Sequence, residues 1–290
     1  MQNKLALITG ASSGFGLGLT KGLLLEGWTV IATLRNPDKR MELFAHELKT
    51  YGDNLKILEL DVTQKAHIDQ IVEYFNENNL QGLDCLINNA GYGQFGASES
   101  HRDEDLRAIF DVNYFGAVNL TNRLLPFLRE SKGHIVVLSS VFGFMGFPLT
   151  SSYCASKFAL EGHFESLKME MTPHNVNVTI VQPGGHATDF MKNAHWLYSG
   201  KDAYKTQETG YQNLQKKAQT KGGTSEDKAI SSIIKSIKSK KPPYRLICGP
   251  DANASHKMLT LLGRKTFVRA IGKIINGFFK KEAAKEGEAP

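Results

Sequence analysis

Tyr153 and Lys157 lie four residues apart, and a pair of serines, Ser139 and Ser140, precedes them in the chain. On a helix this spacing puts the phenol and the ammonium on one face, one turn apart. A free phenol ionises near pH ~10, too high for efficient proton exchange at neutrality. An ammonium one turn away favours the phenolate and is expected to lower that value. A serine hydroxyl nearby would hydrogen-bond a substrate oxygen and hold it against the phenol. A lone pair of this kind most often belongs to an unrelated surface helix. Among the nine tyrosines, however, only Tyr153 has a lysine at the fourth position on.

The serines end an apolar run, 135–138, that predicts a buried strand. A loop punctuated by Gly and Pro follows, and Ser151 or Ser152 is a suitable N-cap for the helix carrying the pair. Far upstream, the run 4–9 leads into Gly10, Gly14, Gly16 and Gly18. A strand, a glycine-rich turn and a helix reaching about Gly27 open a dinucleotide-binding βαβ unit. The glycines let the backbone approach a pyrophosphate, and the helix amino terminus offers unpaired N–H groups and a positive dipole end. The spacing is TGxxxGxG from Thr9 and differs from GxGxxG. No Gly-Lys-Ser/Thr follows, so it is not a P-loop. The second strand, 29–34, ends at Leu34-Arg35-Asn36. A carboxylate there would bind the ribose 2′-hydroxyl of NAD. Arg35 pairs instead with a 2′-phosphate, so NADP(H) is the expected cofactor.

Strands and helices then alternate. Strand 55–60 runs into Asp61-Val62, placed to meet the adenine. Helix 64–78 carries Ile68, Ile71, Val72 and Phe75 on one side. Strand 83–87 runs into Asn88-Asn89-Ala90-Gly91. A long helix from about 103 to 128 contains Asn113, and Pro126 is expected to kink or stop it. Strands 135–138 and 176–181 complete the core. This alternation predicts an α/β fold, a doubly wound parallel sheet of the Rossmann type, with ligands at the carboxyl ends of the strands.

The chain of 290 residues, 41% hydrophobic and 22% charged, has the composition of a soluble globular protein with a substantial core. It shows no signal peptide and no apolar run long enough to span a bilayer, so a cytoplasmic location is expected. Cys85, Cys154 and Cys248 form no CxxC pair and read as buried free thiols in a reducing compartment. The net charge of +6 is concentrated in 256–281, which holds seven Lys/Arg and no Asp/Glu. The remainder is close to neutral, and nucleic-acid binding is not expected.

In order along the chain, the TGxxxGxG turn, Asn88-Asn89-Ala90-Gly91, Asn113, Ser140, Tyr153/Lys157 and Pro183-Gly184 together resemble the short-chain dehydrogenase/reductase family over 4–190. The resemblance implies an NADP(H)-dependent oxidoreductase that interconverts a ketone or aldehyde and an alcohol. It makes Tyr153 the general acid/base. Lys157 then binds the nicotinamide ribose and lowers the tyrosine pKa, Ser140 polarises the carbonyl, and Asn113 helps hold a water that relays protons to Lys157. Ser140 is preferred to Ser139 because it matches the family serine thirteen positions before the tyrosine. The implied cofactor contacts are Gly10, Ser12, Ser13, Gly14, Phe15, Gly16, Arg35, Asp61, Val62, Asn89, Ala90, Gly91, Tyr153, Lys157, Pro183, Gly184 and Thr188. The implied substrate contacts are Ser140, Phe142, Tyr153 and His186, with no metal. Two residues depart from the family pattern: Phe15 replaces the usual Ile, and His186 stands where small or β-branched residues are common. Homo-oligomers built on the long helices, including the one bearing Phe158, Leu160, Phe164 and Leu167, are also implied. A non-enzymatic NADP-binding regulator or scaffold would keep the glycine loop without needing Asn113, Ser140, Tyr153 and Lys157 together.

The single domain is expected over 1–255, with a substrate lid at about 190–224. That stretch is polar and interrupted, and His195, Trp196, Tyr198, Tyr204 and Tyr211 are scattered through it. Phe142, Phe144, Met145 and Phe147 either line an apolar pocket or pack their loop down. Leu34-Arg35 and the longer C-terminal part are similar to the hydroxysteroid and retinol dehydrogenase branches, which points to a hydrophobic substrate. The tail 256–281 reads as a basic amphipathic helix, with Phe267, Ile271, Ile274 and Phe278 at helical spacing and Arg269, Lys273 and Lys280 opposite. Packing on the domain or on a partner subunit is expected ahead of contact with an anionic membrane. Residues 282–290 read as a disordered tail.

Overall fold

In the computed structural model, which describes residues 3–186, 190–220 and 225–285, strand residues are apolar at consecutive positions and divide by parity between two cores. In β1 (Leu5–Thr9), Leu5 and Leu7 face one core while Ala6 and Ile8 face the other. The same division holds in β4 (Cys85–Asn88), where Leu86 opposes Cys85 and Ile87. A sheet covered on both faces requires this, since alternate side chains point to opposite sides.

Seven strands form the sheet. β2 (Thr29–Leu34), β3 (Leu55–Glu59), β6 (His134–Leu138), β7 (Asn177–Pro183) and β9 (Arg245–Cys248) join β1 and β4 in the order β3-β2-β1-β4-β6-β7-β9, with every pair parallel. The order reverses between β1 and β4, which opens a crevice beyond their carboxyl ends. One face is covered by α3 (Lys65–Glu77), α5 (Ala117–Ser131) and α6 (Ser151–Met171), through Phe75, Leu124 and Phe164 among others. The other is covered by α1 (Gly14–Leu25), α2 (Ala45–Tyr51) and α8 (Glu226–Lys238), through Leu19, Leu23 and Ile233. The expected doubly wound α/β sheet is therefore present.

Five expectations differ from what is found. The long helix is not uniform. α4 (Asp103–Phe110) passes into a π-helical turn, Asp111–Gly116, before α5 begins, and the helix continues past Pro126 to Ser131. In α6, Leu160, Phe164 and Leu167 turn into the core and are not free to form a subunit contact; only Phe158 is partly exposed, beneath Arg264.

The lid stretch is more regular than its polarity implies. β8 (His195–Leu197) pairs in parallel with β5 (Gln94–Gly96), and α7 (Asp202–Thr220) is a helix of 19 residues. Tertiary packing supplies that order. α7 lies against the C-terminal helix so closely that a Cβ on Gly210 would stand 2.6 Å from Phe279 Cα. The C-terminal element, α9 (Pro250–Lys285), starts before the expected 256 and is broken at Gly263 (φ 69°, ψ 156°). Residues 282–285 continue the helix, with Glu282 and Ala283 buried, and are not a disordered tail. Phe267 and Phe279 face the protein while Ile274 is exposed. Among the described residues no helix is long and apolar enough to cross a membrane.

Candidate active site

The β1–α1 turn carries the first group of expected contacts. Gly10 (φ 65°) and Gly14 (φ 48°) adopt left-handed backbone that residues with a Cβ rarely take. A Cβ on Gly16 would lie 2.3 Å from Gly10 O and 2.6 Å from Asn89 Nδ2, so the turn and the helix meet backbone to backbone. The segment after β4 locks this arrangement. Asn89 Nδ2 donates to Thr9 O (2.9 Å) and Gly10 O (3.0 Å), and the Thr9 hydroxyl accepts from the N–H groups of Asn89 and Ala90, both at 2.9 Å. Ser13 occupies the N-cap of α1 with no side-chain cap bond, and the first turn holds no acidic residue. Uncapped N–H groups at a helix amino terminus, in a cradle that one methyl would fill, fit a dinucleotide pyrophosphate.

Arg35 and Asn36 follow β2 and are exposed. Asn36 is left-handed (φ 50°) and donates its N–H to Glu59 Oε1 at 3.3 Å. Asp61 accepts from the Thr63 N–H (3.0 Å) and hydroxyl (2.8 Å), while Val62 is buried where a Cβ on Gly116 would meet its Cγ2 at 2.6 Å.

Across the crevice, Ser140 follows β6 and its hydroxyl accepts from the Phe142 N–H at 3.2 Å. Tyr153 stands in the first turn of α6, close enough to Ser140 for that hydroxyl to favour its ionised form. Its ring packs against Phe95, Phe142 and Phe190, with centroids 5.9, 6.2 and 5.6 Å away. Lys157 Nζ donates to Leu138 O at 2.8 Å and lies 5.9 Å from the Tyr153 ring centroid. Asn113 is buried in the π-helical turn. Its Oδ1 accepts from the Tyr92 N–H (3.0 Å), and its Nδ2 donates to Tyr92 O (3.0 Å) and to Ser156 Oγ (3.1 Å). A Cβ on Gly91 would approach Asn113 Oδ1 (3.0 Å) and Lys157 Nζ (3.6 Å), so the four expected catalytic residues border one space.

One electrostatic expectation reverses. Burial among the three phenylalanines pushes the Tyr153 phenol up, with the Ser140 hydrogen bond acting against it. Lys157 does not lower it in this state, since its ammonium is turned to Leu138 O. Burial in turn brings Lys157 down to about 8, with Glu161 opposing. Tyr153 therefore holds its proton at neutral pH, which suits a group that must donate one to a nascent alkoxide.

His186 sits beside the glycine turn. Its ring meets Phe15 of the glycine turn edge-on at 5.3 Å, and its Nδ1 contacts Gly184 O at 3.1 Å. Pro183 ends β7, and the following loop is fastened to α9, where Asp251 Oδ2 accepts from the Gly185 N–H at 2.7 Å. Thr188 falls outside the described residues. Sequence spacing gave no sign of Asp251, Phe95 or Phe190, which reach the site from distant parts of the chain.

A model described as short chain dehydrogenase matches residues 4–196. The 3-ketodihydrosphingosine reductase of Bacteroides thetaiotaomicron is 35% identical over 254 residues, 86% of this chain and 89% of that protein. Human retinol dehydrogenase 8 is 39% identical over 189 residues, 63% of this chain and 59% of that protein. A crystal structure of a short-chain dehydrogenase from Streptomyces avermitilis superposes with a TM-score of 0.76 at 33% identity, covering 90% of this chain and 96% of that one. With a serine, tyrosine and lysine gathered at the mouth of the crevice and agreement this extensive, the chain belongs to the short-chain dehydrogenase family and is an oxidoreductase of the alcohol–carbonyl pair.

Proposed function

We propose that this protein uses NADP(H) to interconvert a hydrophobic ketone or aldehyde and its alcohol. The observation that carries the proposal is Tyr153, set beside Ser140 and Lys157 and enclosed by Phe95, Phe142 and Phe190 beside the dinucleotide crevice. Bound NADP(H) supplies or accepts the hydride. Ser140 holds the substrate oxygen, and Tyr153 gives it a proton as the carbon is reduced. Lys157 then stabilises the phenolate left behind, having exchanged Leu138 O for the ribose and the tyrosine oxygen. Asn113 helps hold the water that restores the proton. Gly10 to Gly16 receive the pyrophosphate, Arg35 the 2′-phosphate, Asp61 and Val62 the adenine, and the Asn89-Ala90-Gly91 and Pro183-Gly184 segments the two riboses and the nicotinamide. His186, seated on Phe15, belongs to the nucleotide side more than to the substrate.

The aromatic surroundings extend past the tyrosine. Phe147, Trp196, Tyr211 and Phe279 join the same buried cluster, so the apolar surroundings of Tyr153 draw on the loop after Ser140, on β8, on α7 and on α9. An apolar substrate gains on the order of 25 cal/mol per Å² buried there, whereas a small polar one gains little. The names of the two curated relatives, a 3-ketodihydrosphingosine reductase and a retinol dehydrogenase, agree with a lipid-like substrate. NADPH oxidation against short ketones, steroid ketones, retinal and long-chain keto compounds tests this. kcat/KM is expected to rise at least about tenfold from the short ketones to the bulky apolar ones, with NADPH favoured over NADH and the preference reduced in Arg35→Ala. Best turnover with small polar carbonyls would refute the substrate class.

The exposed side of α9 favours a peripheral contact with an anionic lipid surface. Arg269, Lys273 and Lys280 line a shallow groove of about 530 Å³ left open by Gly272 and Gly277, and Leu261 and Leu262 are exposed at the break in the helix. Vesicles containing phosphatidylglycerol should carry the protein upward in a flotation gradient at low salt, and phosphatidylcholine vesicles should not. Equal recovery with both would remove this part of the proposal. Three buried free cysteines suit a reducing cytoplasm. Phe115 and Met169, exposed on the outer helices, suit contact between copies of the chain.

A further inference from the structure

Three successive turns of α6 engage three successive residues beyond the middle of β6. Tyr153 stands beside Ser140, Lys157 donates to Leu138 O, and Glu161 accepts from the Ser139 hydroxyl at 2.6 Å. The residue between the two already used is thus held by a carboxylate to which no step has assigned a role. Glu161 is buried, and both its oxygens are occupied. Gln182 Nε2 of β7 donates to Oε1 (2.9 Å) and Oε2 (2.8 Å), and Arg245 of β9 reaches Oε2 at 3.5 Å. A buried carboxylate needs such donors, and each donor would be left unpaired without it. The loop after Ser140 is shaped around the same group. A Cβ on Gly143 would lie 2.1 Å from Glu161 Oε1 and 2.3 Å from Ser139 Oγ, and the Gly143 N–H closes a turn on Ser140 O at 2.9 Å.

From this geometry we infer that Glu161 is a positioning residue for the reaction: through Ser139 it fixes the turn that aims the Ser140 hydroxyl, and from one turn further along α6 it supports the Lys157 ammonium. The inference rests on the proposed roles of Ser140, Tyr153 and Lys157. Among the described residues, the titratable groups facing Lys157 are Tyr153 and Glu161, both on its own helix. Asn113 and Gly91 approach it from other elements and carry no charge. Beyond Glu161 stand Arg245 of β9 and, 3.0 Å from that guanidinium, Glu165. Glu161 opposes the burial that brings Lys157 down to about 8, so its loss moves Lys157 lower still. The ammonium is then lost at lower pH, and the alkaline fall in activity moves to lower pH with it.

Glu161→Gln, Ser139→Ala and Glu165→Gln separate the two effects. kcat is followed against pH at saturating NADPH. The titration of Lys157 is followed in cofactor-free protein by NMR of ε-¹³C-lysine, with the resonance assigned through Lys157→Arg. Glu161→Gln should lower kcat about tenfold with the carbonyl KM nearly unchanged. It should move both the alkaline limb and the NMR midpoint down by about one pH unit. Ser139→Ala should lower kcat several-fold and leave the midpoint in place, which keeps the positioning role testable should Glu161→Gln fold poorly. Glu165→Gln should change neither quantity. An unshifted midpoint with unchanged kcat in Glu161→Gln, full activity in Ser139→Ala, or equal effects from Glu165→Gln would overturn the inference. The NMR midpoint needs no turnover, so it reports on Glu161 even if Tyr153 proves not to act on a carbonyl.

Discussion

Tyr153→Phe should lose about three orders of magnitude in kcat while folding and NADPH affinity stay close to wild type. General acid–base catalysis by a positioned side chain contributes on the order of 10²–10⁴-fold, and Tyr153 is the phenol set beside both Ser140 and Lys157. The ring itself keeps its contacts with Phe95, Phe142 and Phe190, because phenylalanine differs from tyrosine only in the hydroxyl. Removing that hydroxyl leaves Ser140 its bond from the Phe142 N–H, so the turn after β6 holds. Steady-state rates of NADPH oxidation, circular dichroism and cofactor fluorescence titration make the comparison. A rate within tenfold of wild type would mean that another group delivers the proton.

The second large effect belongs to the glycine cradle. Gly16→Ala should weaken NADPH binding by about two orders of magnitude and also lower the melting temperature. The added methyl would stand 2.3 Å from Gly10 O and 2.6 Å from Asn89 Nδ2, and the first of these is backbone that has no rotamer to change. Relief requires the turn and the start of α1 to separate, at a cost of about 1–3 kcal/mol for overpacking. Such a shift also spoils the bonds from Asn89 to Thr9 O and Gly10 O and re-aims the N–H groups offered to a pyrophosphate. Gly18→Ala is the informative contrast. There the methyl meets Ile230 Cδ1, the end of a side chain that can rotate away, so cofactor affinity should change far less. NADPH dissociation constants from fluorescence titration check both variants. An affinity within twofold of wild type in Gly16→Ala would show that this turn does not hold the pyrophosphate.

The parallel sheet was legible because every core strand is a short apolar run whose alternate residues must face two helical layers. That the four candidate catalytic residues would meet was legible for a different reason. Tyr153 and Lys157 share one helix, where spacing alone sets geometry, and Ser140 sits at a strand end that can lie in only one place. Asn113 was identified by motif, but its π-helical turn was not foreseen, since the turn depends on bonds to Tyr92 and Ser156 far along the chain. Helix α7 was missed because its residues are polar and its order comes from α9, through the close approach at Gly210. The direction of the Tyr153 shift was missed for a related reason. Spacing reveals the lysine, whereas dehydration comes from Phe95 and Phe190, which no local pattern connects to residue 153. The basic tail was read as one amphipathic helix, whereas the fold breaks it at Gly263 and divides it into a packed face bearing Phe267 and Phe279 and an open face bearing Ile274 and Lys273.

Transfer of deuterium from NADPH labelled at nicotinamide C4 to a bulky apolar ketone tests the central claim most directly. If Tyr153 and Ser140 present a carbonyl beside the bound dinucleotide, mass spectrometry of the product alcohol should find the label on the carbinol carbon with wild-type protein and virtually none with Tyr153→Phe, although both bind NADPH. Wild-type protein that binds NADPH and ketone yet transfers no label, or equal labelling by the two proteins, would contradict the account.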